Sequence, residues 1–480
     1  MAARLFGTNG VRGVVNEDLT SELALQMGKA IGQVMKGAVA VATDTRSSGD
    51  MLRTAISAGL MSVGVNVLFL GMVPTPALQY YVKTHENVSG GVMITASHNP
   101  PQFNGIKCIS ADGTEASREE ETLIEEIYAT EIRTCKWDEA GTMDQVNDAG
   151  EAYIDAVLSH VDVEKIRGAG ITACLDCANG AAFETAPLLL KRLQIKTVTL
   201  NCNAQGEFPG RPSEPTEENL ADLISLTKNT RASIGIAHDG DADRCVFITD
   251  GGKFVSGDKS LALLAKLELS KRKGKVVTPV SSSSMVEEVV NEAGGILKYT
   301  AVGSPIVARK MKEYGAIFGG EENGGLIFPE QQYCRDGAMT VAKMLEAIAL
   351  NGPLSKQVDK LPVYYTQKRK IECPDKMKTA VINYLKKTVT DGIMDSTDGL
   401  KIIFDNGWVL ARPSGTEPIF RIYSESKDEV VSIQRANEFE EKVAKFLDPD
   451  AVLDLPEPKA TDKSKRASKT KRFDIPAEEP

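Results

Sequence analysis

Between Ala38-Val39-Ala40-Val41-Ala42 and Val65-Asn66-Val67-Leu68-Phe69-Leu70 lies a helical stretch from Asp50 to Val63. Two short apolar runs separated by a helix predict neighbouring parallel strands joined by a right-handed crossover. The same alternation returns after residue 150, with strands expected at Ile171 to Asp176, Lys196 to Leu200 and Ile234 to Ala237, and a helix after Gly180. Beyond Asp250-Gly251-Gly252 a third such segment begins, with strands near Val276 and Ile317. From about Leu361 the texture changes. Leu400 to Phe404 and Trp408 to Ala411 flank Asp405-Asn406-Gly407, a strong hairpin signal, and a helix is expected from Glu429 to Phe446. These shifts divide the chain into α/β domains at 1–150, 151–252 and 253–360, and a smaller α+β domain at 361–447. Residues 448–480, rich in Pro, Lys, Asp, Glu and Ser, read as a disordered tail that buries too little apolar surface to offset its ordering entropy.

Composition narrows the class. Of 480 residues 42% are hydrophobic, which suits a globular chain, and no apolar run approaches the roughly 18 residues of a membrane span. The net charge of -10 disfavours non-specific nucleic-acid binding. No basic-then-apolar leader opens the sequence, so a cytoplasmic location is expected. Eight cysteines in a chain of this length fit reduced thiols better than a disulfide framework. Cys174 and Cys177 form a lone Cys-x-x-Cys within an apolar strand, which reads as buried thiols rather than zinc.

Four polar loops interrupt the pattern. Thr95-Ala96-Ser97-His98-Asn99-Pro100 follows the apolar Val92-Met93-Ile94 and precedes Pro101, so Ser97 stands at the tip of a loop. Ser-His alone reads equally as a polar turn closing a strand. Asp239-Gly240-Asp241-Ala242-Asp243-Arg244 places three carboxylates at alternating positions, a set that suits one hard divalent cation. The twelve-residue calcium loop fails here, because Asp250 and Gly251 stand where its closing glutamate belongs. Gly319-Gly320-Glu321-Glu322-Asn323-Gly324-Gly325 exposes two acids able to accept hydrogen bonds from vicinal hydroxyls. Arg412-Pro413-Ser414-Gly415-Thr416-Glu417-Pro418 combines a guanidinium, two hydroxyls and free amides, a cradle for a phosphate that lacks the P-loop ending. An aspartyl-phosphate phosphatase, the rival reading of the aspartate loop, leaves Ser97 unexplained.

In that order, the four loops closely resemble the α-D-phosphohexomutase family, over roughly residues 4 to 447. Phe6 to Gly13 is similar to the family's opening loop and brings Arg12, and Asn104-Gly105-Ile106-Lys107 brings Lys107. The resemblance implies three tandem α/β domains with mixed sheets and a smaller α+β C-terminal domain around a central cleft. It implies a phosphosugar mutase that exchanges sugar 6-phosphate and 1-phosphate through phospho-Ser97 and a sugar 1,6-bisphosphate, the latter both intermediate and activator. One Mg2+ would be held by Ser97, Asp239, Asp241 and Asp243. Arg12, His98, Lys107 and Arg244 would be catalytic, with His98 and Lys107 as candidates for proton transfer. Glu321, Glu322, Asn323, Arg412, Ser414, Gly415 and Thr416 would bind the sugar phosphate. Asn323 and Gly325 stand where many members carry serine and histidine. Phe6 to Gly13, Pro413 and Gly415 look like the phosphoglucosamine mutase branch, so glucosamine phosphate is favoured. Mannose, glucose and pentose phosphates are the alternatives, and a non-catalytic sugar-phosphate binding protein is the remote one. Thr300 to Pro305 is similar to a further sugar-specificity loop.

Overall fold

A computed structural model describes residues 5–7, 10–415 and 418–448 of the chain. Two compact units divide it, the first running to Val363 and including Gly415 as well, the second beginning at Tyr364. Thr416 and residues 449–480, the latter nearly all of the expected tail, lie outside the described residues.

The first unit carries three sheets. The N-terminal one has six strands in the order Val11–Val14, Phe103–Ser110, Val88–Ile94, Ala38–Thr43, Val67–Met72 and Met143–Gln145. Ala38–Thr43 pairs in parallel with both Val67–Met72 and Val88–Ile94, as the alternation of apolar runs requires. The intervening helix occupies Gly49–Met61. One strand runs the other way: Phe103–Ser110 pairs antiparallel with Val88–Ile94 on one side and with Val11–Val14 on the other. The sheet is therefore mixed. Its interior is apolar along the inner strands, with Val39, Val41, Val67, Val92, Ile94 and Ile106 fully buried, whereas the edge strand Met143–Gln145 is exposed throughout. Each such side chain contributes about 1.5–3 kcal/mol relative to exposure.

The second sheet has five strands ordered Phe254–Val255, Cys245–Thr249, Ile234–His238, Thr172–Asp176 and Lys196–Leu200. Here the helix expected directly after Gly180 is instead a single 3-10 turn, Ala181–Phe183, followed by the helix Thr185–Arg192. Ala178 and Asn179 adopt left-handed φ values of 53° and 55°, so the chain turns sharply before it can wind. The third sheet orders Ile296–Thr300, Lys275–Pro279, Phe318–Gly320 and Leu326–Ile327.

The second unit is a five-stranded antiparallel sheet, Tyr365–Glu372, Ile419–Ser426, Gly407–Pro413, Leu400–Phe404 and Ile393–Asp395, with helices Asp375–Thr388 and Glu429–Leu447. Phe404 pairs with Gly407, so Asp405 and Asn406 form the two-residue hairpin loop. Phe420, Ile422, Val409, Ile402 and Phe439 fill its separate core. Among the described residues no helix is long and apolar enough to cross a membrane.

Candidate active site

The polar loops of the first unit sit at strand ends. The loop of Ser97 leaves Val88–Ile94, the aspartate loop joins Ile234–His238 to Cys245–Thr249, and the glycine-flanked acids join Phe318–Gly320 to Leu326–Ile327. In sheets of this kind the crevice outside the carboxyl ends of the strands is where ligands bind.

Ser97 is fully buried and held at φ 51°, a left-handed conformation that a non-glycine residue adopts only when its surroundings impose it. Arg46 is that surrounding. Its guanidinium donates to the carbonyl oxygens of Ser97 (2.9 Å), Asn99 (2.6 Å), Pro100 (2.7 Å) and Phe103 (2.8 Å), and pairs with Asp44 at 3.1 Å. Thr95 closes the frame, donating its hydroxyl to Asp44 and accepting from the Ser97 amide. Replacing Arg46 by methionine would remove the guanidinium shared by four carbonyls and take from the buried Asp44 its ion-pair partner, leaving it the Thr95 hydroxyl and the residue 46 amide, a loss of about 3–5 kcal/mol. The expected result is a thermal midpoint lower by several degrees, read by calorimetry; an unchanged midpoint would show that the loop holds itself.

The Ser97 hydroxyl donates to Asp239 Oδ2 at 2.9 Å, and the Arg244 guanidinium lies 3.4 Å from the same Oγ. The close approach of the two loops demands Gly240, since a Cβ there would stand 2.4 Å from the Ser97 carbonyl oxygen. Behind Gly240, the Asn179-Gly180-Ala181 turn donates its Ala181 amide to the Gly240 carbonyl at 2.9 Å. That turn, which carries no dinucleotide fingerprint, serves as the seat of the aspartate loop.

Ligand oxygens of Asp239, Asp241 and Asp243 all lie within 4.8 Å of one another, and among the described residues this is the group able to hold a metal. Asp241 Oδ1 and Asp243 Oδ1 are buried with no hydrogen-bond donor, as expected of oxygens reserved for a cation. Their partner oxygens are occupied: Asp241 Oδ2 accepts from Lys107 (2.6 Å) and Thr75 (2.7 Å), and Asp243 Oδ2 from Arg335 (2.5 Å). Burial, reinforced by Asp243 and Asp241, pushes the Asp239 carboxyl up to about 7. Burial also acts to raise Asp241, but the Lys107 ammonium holds it below the usual carboxylate range. Three buried carboxylates thus meet three cations, Lys107, Arg244 and Arg335. A divalent ion added to this balance leaves the pocket positive, which suits phosphoryl oxygens.

His98 accepts from Arg244 at Nδ1 (2.5 Å), and the Arg244 charge together with burial pushes its imidazole down to about 2. It is neutral and its Nδ1 is occupied. Arg12 donates to the Asn99 side chain at 2.9 Å from the strand Val11–Val14. His238, beside the aspartate loop, is buried and pushed down to about 4 by that burial.

Glu321 and Glu322 reach different partners. Glu321 is buried, accepting from the Gly303 amide (3.2 Å) and from Arg335 (3.3 Å), whereas Glu322 accepts from Ser281 at 3.1 Å. The Gly303 contact ties the sequence around Thr300 to Pro305 to the acid loop. Asn323 accepts from the Gly325 amide within its own turn. In the second unit Arg412 pairs with Asp398 at 3.0 Å and the Ser414 carbonyl accepts from Lys378 at 2.6 Å, while Gly415, which falls with the first unit, is exposed. All eight cysteines are free thiols, with Cys174 and Cys177 buried. Asp44, Arg46, Thr75 and Arg335 were not singled out by the sequence, although each touches a loop that was.

Models of the phosphoglucomutase/phosphomannomutase family match in the same order as the sheets: alpha/beta/alpha domain I on residues 3–134, domain II on 151–252, domain III on 256–365 and the C-terminal domain on 370–445. A phosphoglucomutase/phosphomannomutase of Thermococcus kodakarensis is 43% identical, covering 93% of this chain and 98% of its own length. A phosphoglucosamine/phosphogalactosamine mutase of Sulfurisphaera tokodaii is 42% identical over 92% of this chain and 99% of its own. The crystal structure of a phosphoglucomutase/phosphomannomutase family protein from Burkholderia thailandensis superposes with a TM-score of 0.84 at 28% identity, over 94% of this chain and all of that one. With a buried serine set against three aspartates, and relatives matching along almost its whole length, the chain belongs to the phosphoglucomutase/phosphomannomutase family of α-D-phosphohexomutases and is a phosphosugar mutase.

Proposed function

We propose that the protein interconverts glucosamine 6-phosphate and glucosamine 1-phosphate, with Ser97 as phosphoryl carrier and Mg2+ held by Asp239, Asp241 and Asp243. The observation that carries this reading is the Ser97 hydroxyl, fully buried and 2.9 Å from an aspartate of a three-carboxylate cluster. The names of the relatives, phosphoglucosamine/phosphogalactosamine mutase among them, favour an amino sugar. When bound, the divalent ion supplies charge neutralisation on the phosphoryl oxygens.

The residues divide the remaining work. A sugar hydroxyl attacks the phosphorus on Ser97; the bond from phosphorus to Oγ breaks, and the hydroxyl proton leaves to a base. Arg244, 3.4 Å from Oγ, neutralises charge that builds on that oxygen. Lys107, an ammonium 2.6 Å from Asp241 and 3.6 Å from Asp243, has a proton to give and no lone pair to accept one, so of the two candidates it is assigned as the acid toward the departing Oγ in this half-reaction and as the base only in the reverse one. His98, neutral and already accepting from Arg244, orients that guanidinium instead. The bisphosphorylated sugar then turns end for end and its other phosphate returns to Ser97. Arg12, held by Asn99, adds a second guanidinium near the same loop.

Arg412, Ser414, Gly415 and Thr416 are assigned to the substrate's own phosphate, in whichever orientation the sugar enters. Arg412→Ala should therefore raise the KM of both isomers by a similar factor, about tenfold for one charge-assisted hydrogen bond. Steady-state kinetics in each direction decides this, and impairment of one isomer alone would require two separate phosphate sites. The substrate itself is read from a panel of glucosamine, glucose, mannose and pentose phosphates, each with a trace of its bisphosphate. Glucosamine phosphate is expected to give the highest kcat/KM. A tenfold preference for another sugar overturns the sugar while leaving the mutase. Intact-protein mass spectrometry separates the binding-protein alternative, because a resting chain with no phosphate on Ser97 and no turnover of any sugar would favour it.

A further inference from the structure

Arg335 is claimed by none of the four loops, yet its side chain runs between two of them. It precedes the helix Gly337–Asn351, whose N-cap Asp336 accepts from the Met339 amide at 2.9 Å and from the Tyr153 hydroxyl. From this fixed root the guanidinium reaches Asp243 Oδ2 at 2.5 Å through Nη2 and Glu321 Oε2 at 3.3 Å through Nη1. Only 7% of the residue is exposed. Burial opposes its charge, but Asp243 and Glu321 outweigh that and keep the guanidinium ionised.

The stem of the same side chain explains Gly325. A Cβ built at Gly325 would stand 2.3 Å from Arg335 Cδ and 2.9 Å from Cγ. Gly325 is not among the glycines with positive φ, so its backbone would admit another residue. The hard exclusion comes from the Arg335 side chain, with a softer contact to Asn323 Oδ1 of the same turn at 3.1 Å. Gly325 and Arg335 thus share one volume, and the arginine fills it.

We propose that Arg335 is a positioning residue for the mutase reaction: it sets the acid loop against the aspartate loop by bridging Glu321 to Asp243, and Gly325 is the space it requires. The inference rests on the functional reading above and deepens it. Its physical content is twofold. Losing the guanidinium releases Glu321 from one of its two donors, so the sugar hydroxyls meet a less ordered acceptor and KM rises. It also removes a positive charge 2.5 Å from a candidate cation ligand, so divalent-ion affinity increases. Loosened packing alone would weaken both, so the opposed signs separate positioning from mere structure.

The test is a cycle of Arg335→Met, Arg335→Lys, Arg335→Ala, Gly325→Ala and the Gly325→Ala/Arg335→Ala pair. Three quantities are followed: KM and kcat with sugar phosphate, Mg2+ affinity by calorimetry, and phosphate loading of Ser97 from glucose 1,6-bisphosphate by intact mass. Arg335→Met keeps the stem and should raise KM about tenfold while tightening Mg2+ several-fold. Arg335→Lys should restore the wild-type Mg2+ affinity but not KM, since one ammonium cannot fork to two carboxylates. Gly325→Ala should raise KM in the parent and have less than a twofold effect in Arg335→Ala. KM and Mg2+ affinity within twofold of the parent in Arg335→Met, or equal effects of Gly325→Ala in both backgrounds, would overturn the proposal. Absence of loading in the parent would overturn the phosphoserine reading instead, while the Mg2+ affinities of the Arg335 variants still report on the bridge.

Discussion

Ser97→Ala is expected to remove at least two orders of magnitude of mutase turnover, about 2.7 kcal/mol or more of barrier, while the protein keeps its fold and still binds sugar phosphate. The oxygen lost is the one that carries the phosphoryl group, and water is a poor replacement for a donor held in place. Nearby hydroxyls are committed elsewhere: Thr95 donates to Asp44 at 2.6 Å and Thr75 to Asp241 at 2.7 Å. The fold should survive because Arg46 grips the loop through backbone carbonyls that alanine retains. Alanine tolerates the left-handed φ of 51° about as poorly as serine, so the substitution adds little new strain. Kinetics, isothermal binding of sugar phosphate and the thermal midpoint are measured together. Turnover within threefold of the parent would remove Ser97 from its role, and loss of binding along with activity would make it a structural residue.

The loops were legible because each interrupts an apolar strand with residues that a strand does not need. Ile234–His238 is buried at all five positions, and then three aspartates appear where the next run should begin. The alternation of strands and helices likewise gave the parallel pairs of the first sheet. What it did not give was Phe103–Ser110 entering antiparallel, because an apolar run carries no direction. The supports of the site were hidden for a related reason. Arg46 acts on residues 97 to 103, and Arg335 acts on Asp243 and Glu321, so their partners lie far away in sequence. In one dimension Thr43-Asp44-Thr45-Arg46-Ser47-Ser48 is an ordinary polar turn. The one available signal was its place after a buried parallel strand, at the end where α/β sheets bind ligands. Glu321 and Glu322 show a further limit of reading in one dimension. Adjacent residues in a turn diverge, and these two reach different partners.

Excess chelator is expected to abolish turnover and Mg2+ to restore it, and Asp241→Asn should lower kcat/KM at least a hundredfold and weaken Mg2+ binding tenfold or more. The argument begins with the two oxygens Asp241 Oδ1 and Asp243 Oδ1, buried and without a hydrogen-bond donor. Such atoms are costly unless something else satisfies them, and a hard cation does so while drawing its remaining ligands from water and phosphate. Asp241 also anchors Lys107 and Thr75 through its other oxygen, so the amide variant strikes twice. It removes one anionic ligand, and it leaves the Lys107 ammonium, 1% exposed, with Asp243 at 3.6 Å as its remaining carboxylate at the site. The amide oxygen can still accept from Lys107 but carries no charge, so the ammonium loses its closest counterion and is drawn toward Asp243. Calorimetric titration distinguishes the two losses: weaker Mg2+ binding reports the ligand, and activity still deficient at saturating Mg2+ reports Lys107. Recovery of full activity at high Mg2+ would reduce Asp241 to a ligand alone. Full turnover in the presence of excess chelator would separate the aspartate loop from the chemistry altogether, leaving the phosphoryl group to Arg12 and to Arg244, Lys107 and Arg335, the last three already matched by three carboxylates.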